Sequence, residues 1–335
     1  MRAPLPLPRG PLSQQLLTHL TAGRALPVPK AVTVDARTDD DLHLALWCCY
    51  QLHHGGFHDV DDDAEWDLGV LAFRRVLEDA FEAALRSEHR PAGLPADPVT
   101  ALRVVAEWSG PPLARTLAAA TDRNRLEEFA IHRSAYQLKE ADGHTWGIPR
   151  LGGPGRAAMI EIQADEYGGG RPGESHAELF AGALEELGVD ATYGAHIDAL
   201  PGATLATDNL VSLFGLHHRL RGALVGHLAL FEMCSTWPMS QYLLAARRHG
   251  GLPRLARFYE VHVEVDAHHG RLALDEMVAP MVAADPAIAA DVVFGAVALS
   301  HVESRFARHL LRSWDHGISS LRRTPQAAGL LGAAG

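Results

Sequence analysis

Residues 258–271 read FYEVHVEVDAHHGR, and how that stretch is read decides both the fold and the chemistry. Its apolar residues recur at helical spacing, which makes it one helix. At about 100° per residue, Asp266 lies about 40° from His262, and His269 about 20° to the other side. The three therefore share an arc of about 60°. His268 and Glu264 point out of that arc and read as solvent or packing residues. Only a spacing of this kind lets one helix present His, Asp and His to a single metal, and imidazole with carboxylate suits iron, manganese or zinc. The competing reading is a charged, solvated helix face, because a chain with 20 histidines places some at helical spacing by chance.

The surrounding chain narrows the choice. With 335 residues, 47% of them hydrophobic and 21% charged, it buries a large core as one big unit or two smaller ones. A net charge of −11 argues against nucleic acid as a partner, which would need clustered cations. The acidic stretches TDDDLH and DVDDDAEWD read as helix N-terminal charge and a solvated loop. The three cysteines are Cys48, Cys49 and Cys234, with no CxxC pair. That pattern points to a reducing compartment and away from a disulfide frame or a thiolate zinc site. The N-terminus MRAPLPLPRGPLSQQLL has no continuous apolar signal region, and no uncharged run reaches the roughly 20 residues of a membrane span. The expectation is a cytoplasmic protein without membrane or nucleic-acid partners.

Helical periodicity dominates. AVTVDA, at 31–36, is the only stretch that reads as a strand. DDDLHLALWCCYQLHHGG reads as a helix with acidic residues at its start and Gly55-Gly56 at its end. A long amphipathic helix from Trp66 stops before the RPAGLPADP linker, and further helices begin near Asp97, Pro112 and Asp122. The proline- and glycine-rich GHTWGIPRLGGPGR leads into AAMIEIQADEYGGG, broken at Gly168-Gly169-Gly170 and Pro172, and the chain resumes with ESHAELFAGALEELGVD. Helices at about 205–218, 220–235 and 238–249 follow, then the 258–271 helix and a long one from Pro286 to Trp314. The fold class is all-α: an N-terminal accessory helical region over 1–120, a core over 121–318, and a frayed tail over 319–335.

Partners for the triplet come next. Helical diiron proteins often use ExxH pairs on a four-helix bundle, and this chain contains no ExxH. It offers Glu166 followed ten residues later by His176 in DEYGGGRPGESH. On an unbroken helix these would lie about 80° apart, but the glycines and Pro172 permit a distortion that aims both inward. A plain interhelical loop is the other reading.

Residues, spacing and order together resemble the heme-oxygenase-like diiron oxidases and oxygenases, iron-containing redox enzymes that bind two irons in a helical fold without heme. The resemblance covers most of 121–318, including FGLHHRLRGALVGHLALFEM and FARHLLRSWDHG. It implies a ligand set of Glu140, Glu166, His176, His262, Asp266 and His269, in which HxxxDxxH is the most specific part and Glu140 competes with Glu161, Glu127 and Glu128. LWCCYQLHHGGF resembles an accessory segment of some members that carries Glu where this chain has Gln51, which disfavours Gln51 as a ligand. Glu232, an acid in the apolar ALFEMCST, needs a buried partner and reads as an internal hydrogen bond ahead of a supporting group or a substrate contact. His217, His218 and His227 read as packing or surface residues.

The resemblance implies two Fe(II) ions per chain, O2 as cosubstrate, room for an external electron donor, a small-molecule substrate and a possible homodimer. Two Fe(II) ions against three carboxylates leave a slight positive excess, which suits a carboxylate-bearing substrate. An amino acid is favoured by analogy, with desaturation, ring-forming C–H cleavage, N-oxygenation or oxidative C–C cleavage as outcomes. Two rivals stand beside it: a protein on the same scaffold that does not use two irons, and a non-enzymatic helical binding protein.

Overall fold

The computed structural model describes residues 2–88 and 93–323. Helices follow one another along them: α1 (Pro11–Ala22), α2 (Asp40–His54), α3 (Leu68–Ser87), α4 (Pro98–Ala106), α5 (Leu113–Ala119), α6 (Arg123–Gln137), α7 (Asp142–Thr145), α8 (Gly153–Glu166), α9 (His176–Leu187), α10 (Gly202–Leu216), α11 (Arg221–His249), α12 (Pro253–Arg271), α13 (Ala279–Ala284) and α14 (Ala289–Asp315). A π-helical segment, Leu272–Val278, joins α12 to α13. The fold is all-α, as the periodicity implies.

Residues 31–36 do not form the expected strand. Among the described residues the one β-bridge joins Ala3 to Phe57. A strand needs a neighbouring ladder for its backbone groups, and the helices around 31–36 supply none. The Ala36 carbonyl instead faces the His43 Nε2 at 3.1 Å.

The two helices expected on either side of Pro238 are one, α11. Proline removes a single N–H, while α12 and α14 pack along α11 on both sides and outweigh that loss through burial. The α11–α14 contact is tight enough to demand glycines. A Cβ at Gly226 would sit 1.8 Å from the Val292 carbonyl oxygen, and one at Gly295 would sit 1.9 Å from that of Ala223. With its preceding turn, α14 (residues 286–315) is long and apolar enough to cross a membrane, an 18-residue window in it having mean hydropathy 1.4, but half of that window is buried. It packs on α11 and α10 as a core helix does.

Residues before 120 reach into the later helices: α2 lies on α10, and α4 and α5 lie on α11 and α14. The tail expected from 319 departs from expectation over its first residues. Glu128 accepts hydrogen bonds from the Ser319 hydroxyl and the Ser320 amide, and Trp314 Nε1 joins them at 2.9 Å, so 319–323 is tied down. The remainder, 324–335, lies outside the described residues.

Replacing Gly295 by valine is expected to destabilise the core by about 3 kcal/mol, at the upper end of overpacking penalties. A chemical unfolding midpoint equal to that of the wild type would contradict the close crossing. A second expectation concerns acid. His43 is fully buried, with Ala36 O on one ring nitrogen and Asn209 Nδ2 on the other at 3.2 Å. Burial lowers its pKa to about 4. The unfolded chain takes up this proton near pH 6.5 and the folded chain resists it, so stability is complete above that pH and falls as pH drops toward 4. At pH 5.5 the loss from this one group is about 1.4 kcal/mol. His43→Gln should reduce the difference in unfolding free energy between pH 7.5 and 5.5 by that amount.

Candidate metal centre

The α12 helix presents its arc inward. His262, Asp266 and His269 are each no more than 2% exposed. Glu264 and His268 lie outside the arc, with side chains 67% and 55% exposed, and His268 pairs with Glu161 on the surface.

Glu140 sits in the turn after α6, not at a helix end, because α6 stops at Gln137. What aims it is its neighbour. Lys139 is buried and ion-paired with Asp208 of α10 at 2.5 Å, and Trp47 of α2 also bonds Asp208. With that anchor behind the turn, Glu140 Oε2 faces His262 Nε2 at 3.5 Å. The competing acids are spent elsewhere: Glu127 on Arg123, Glu128 on the 319–320 segment, and Glu161 on His268.

Glu166 ends α8, and the chain then doubles back through Gly168, Gly169 and Gly170, all at positive φ. A Cβ on Gly168 would lie 2.5 Å from the backbone of Glu174 and Ser175, so glycine is needed for the two passes to touch. Ser175 then forms a capping box with Glu178 and starts α9 at His176. This reversal converts a ten-residue spacing into an approach of 2.8 Å between His176 Nδ1 and Glu166 Oε2, at an angle that makes no hydrogen bond.

The six residues share one property. Glu140 Oε2, Glu166 Oε2, His176 Nδ1, His262 Nε2, Asp266 Oδ2 and His269 Nδ1 are all buried without a hydrogen-bond partner. Buried polar atoms are normally satisfied, so six orphans in one place mark a candidate ligand site. The donors gather into two groups, Glu140–His176–His262 and Glu166–Glu232–His269, the ligand atoms of each lying within 4.8 Å of one another. Asp266 lines the same cavity. The opposite ring nitrogens of two histidines are held from outside. His262 Nδ1 donates to Phe258 O at 2.8 Å, and His269 Nε2 meets Asp165 at 3.1 Å. Such outer bonds fix the tautomer and leave the inward nitrogen with a lone pair for a metal.

Glu232 is the residue that the sequence reading left outside the ligand set and the structure places beside it. It is 4% exposed, and its Oε2 lies 3.5 Å from His269 Nδ1, so the internal partner expected for it is a residue of the second group. The one signal for it was an acid set in an apolar run. Gln51 stays outside the centre, giving its amide to Gly56 O and accepting from the Tyr193 hydroxyl. His217 pairs with Glu78, and His227 with His144.

The electrostatics fit a cation. Burial by itself would lower His262, yet Glu140 raises it to about 10. Burial would likewise lower His269, and Glu232 raises it to about 9. Burial pushes Glu232 up to about 7. Against the upward push of burial, His176 holds Glu166 down to about 2. Carboxylates this close favour positive charge among them, which a bound cation would supply without protons.

Asp208→Asn would leave Lys139 as a buried charge without its counterion. A loss of about 3–5 kcal/mol is expected, with the double variant Lys139→Met/Asp208→Leu recovering most of it in chemical unfolding. If the single variant is no less stable than the double one, the anchor assignment fails.

Comparison with known proteins now adds to this geometry. A family model described as "Iron-containing redox enzyme" matches residues 127–304. A nitrosourea synthase from Streptomyces achromogenes subsp. streptozoticus is 25% identical over 179 residues, which is 52% of this chain and 37% of that protein, so the chain spans little more than a third of this relative. The crystal structure of a CADD-like protein of unknown function from Nostoc punctiforme superposes with a TM-score of 0.51 at 16% identity, covering 64% of this chain and 96% of that one. That likeness speaks for the heme-oxygenase-like helical fold. With more than half of its length inside the family model, the chain belongs to the iron-containing redox enzymes of heme-oxygenase-like fold.

Proposed function

We propose that this iron-containing redox enzyme is a non-heme diiron, O2-dependent oxidase or oxygenase acting on a small amino-acid-type substrate in specialised biosynthesis. The observation that carries the reading is the set of six buried orphan atoms in one centre. Glu140, His176 and His262 would hold one iron, and Glu166, Glu232 and His269 the other, with Asp266 a further ligand beside them. Glu166 lies between the two groups, one of its oxygens facing His176 at 2.8 Å and the other facing His269 at 4.0 Å. When bound, two Fe(II) ions supply the electrons and open positions that O2 activation needs.

The chain's own residues set the rest. The outward bonds of His262 and His269 hold both rings in place, and the apolar Leu228 and Phe231 beside the centre keep bulk water out. Glu232 changes the charge balance. Four carboxylates against two Fe(II) ions leave the centre neutral, so the slight positive excess expected for attracting a substrate carboxylate is gone. Among the outcomes the family allows, the likeness to a nitrosourea synthase favours oxidation at nitrogen. Three free cysteines, two of them buried, support a reducing, cytoplasmic setting. A heme would use one axial histidine and leave the other orphans without a purpose, so the two-iron reading is preferred.

Anaerobic loading with Fe(II) followed by metal analysis tests the assignment. About two irons per chain are expected, with at least one lost in His262→Ala and in Glu232→Ala, and none lost in His268→Ala. Full occupancy in the first two variants would falsify the ligand set. Exposing the loaded protein to O2 with a panel of amino acids should then give substrate-dependent O2 consumption.

A further inference from the structure

One polar side chain in the wall of this cavity has no task in holding metal. Gln163 lies on α8, one turn before Glu166, and lines the cavity. It is 2% exposed, and one end of its amide has no partner. The other end is fastened to Thr145 Oγ1 at 2.9 Å, so the free end is the one left for the cavity.

Which atom that end carries follows from counting protons. The oxygen and nitrogen of a carboxamide have nearly the same outline and are assigned from the hydrogen bonds around them. The Tyr167 hydroxyl donates to Asp142 Oδ1 at 2.9 Å, which spends the phenol's only proton. The contact of 3.1 Å between Thr145 Oγ1 and the Tyr167 oxygen is then a hydrogen bond only if Thr145 donates. Thr145 has one proton as well, so it has none left for Gln163 and must accept from the amide. With Oε1 toward Thr145 and Nε2 free, one of these two contacts has no proton. The reversed amide satisfies both and turns its carbonyl oxygen to the cavity.

We propose that Gln163 Oε1 accepts an N–H from the substrate, so that an amine, amidine or guanidine end, and not a carboxylate, enters beside Glu166 and Glu232. The proposal rests on the diiron reading and names the substrate class for it. The cavity lining supports it in two ways. It contains no arginine or lysine to meet a carboxylate, and the nearby cation, Lys139, is already paired with Asp208. The wall also carries four carboxylates, Glu140, Glu166, Glu232 and Asp266, which leave no positive excess once two Fe(II) ions are bound.

The test is calorimetric titration of the anaerobic Fe(II)-loaded protein with L-arginine, L-lysine, L-glutamate and octanoate, together with iron analysis of every sample. Arginine or lysine should bind more tightly than glutamate and octanoate. Gln163→Leu and Gln163→Met should each weaken that binding about tenfold, the usual consequence of losing one buried hydrogen bond. Gln163→Glu keeps an acceptor oxygen and should retain binding, and all three variants should keep wild-type iron content. The proposal is overturned if neither nitrogen-bearing probe binds, if glutamate or octanoate is preferred, or if the leucine and methionine variants bind as the wild type does. A glutamate variant as weak as the leucine variant would overturn it too. Iron content separates the two layers. Wild-type protein that takes up no iron sinks the diiron reading, whereas normal iron with unchanged binding in the variants sinks the Gln163 assignment alone.

Discussion

Four carboxylates and three imidazoles turn their free atoms toward one another in a buried space, and that crowding is the constraint around which the structure is arranged. Each carboxylate repels its neighbours, and burial magnifies the repulsion because little water is present to screen it. Facing imidazoles offset part of that repulsion, yet six of the inward atoms make no hydrogen bond within the protein. Relief comes from a cation. Metal binding there would link to folding, as in other sites whose ligands are assembled only in the native state.

The centre draws on segments far apart in the chain, and each is aimed by a local device. The turn holding Glu140 is set by the buried Lys139–Asp208 pair. Glu166 and His176 are brought together by a glycine reversal and a capping box. His262 and His269 are steered by bonds on their far sides. Trp47 of α2 reaches Asp208, so the N-terminal helices bear on Glu140 through Asp208 and Lys139. We read residues 1–120 as a layer that stiffens the ligand turn, beyond covering apolar surface.

Adding Glu232 alters the chemistry expected of the centre. With three carboxylates a diferrous pair is slightly positive and attracts anions. With four, on the proposed reading, it would be neutral, and substrate choice would pass to the cavity wall. Beside the carboxylates, that wall offers a glutamine amide, a tyrosine hydroxyl, imidazoles and apolar side chains, and no arginine or lysine. Selectivity would then rest on hydrogen-bond direction, where a mismatched group leaves a buried atom unpaired and costs more than a lost contact.

The sequence by itself determined the all-α class and the inward face of α12. Both depend on the 3.6-residue period, which any helix expresses without help from its neighbours. The triplet of His262, Asp266 and His269 was legible for that reason. The order of the other candidates was legible only through resemblance to a family. Where neighbours decide the outcome, the one-dimensional reading erred. Residues 31–36 lacked a ladder to pair with, Pro238 was absorbed into α11 by packing on both sides, and 319–323 was tied by Glu128 from nearly 200 residues away. Glu232 shows the same limit most sharply. An acid in an apolar run announces a buried partner without naming it, and only the packing of α11 on α12 brought that carboxylate against His269. Local periodicity is written in the chain, but the identity of a buried charge's partner is a property of helix packing, and the tertiary structure alone decides it.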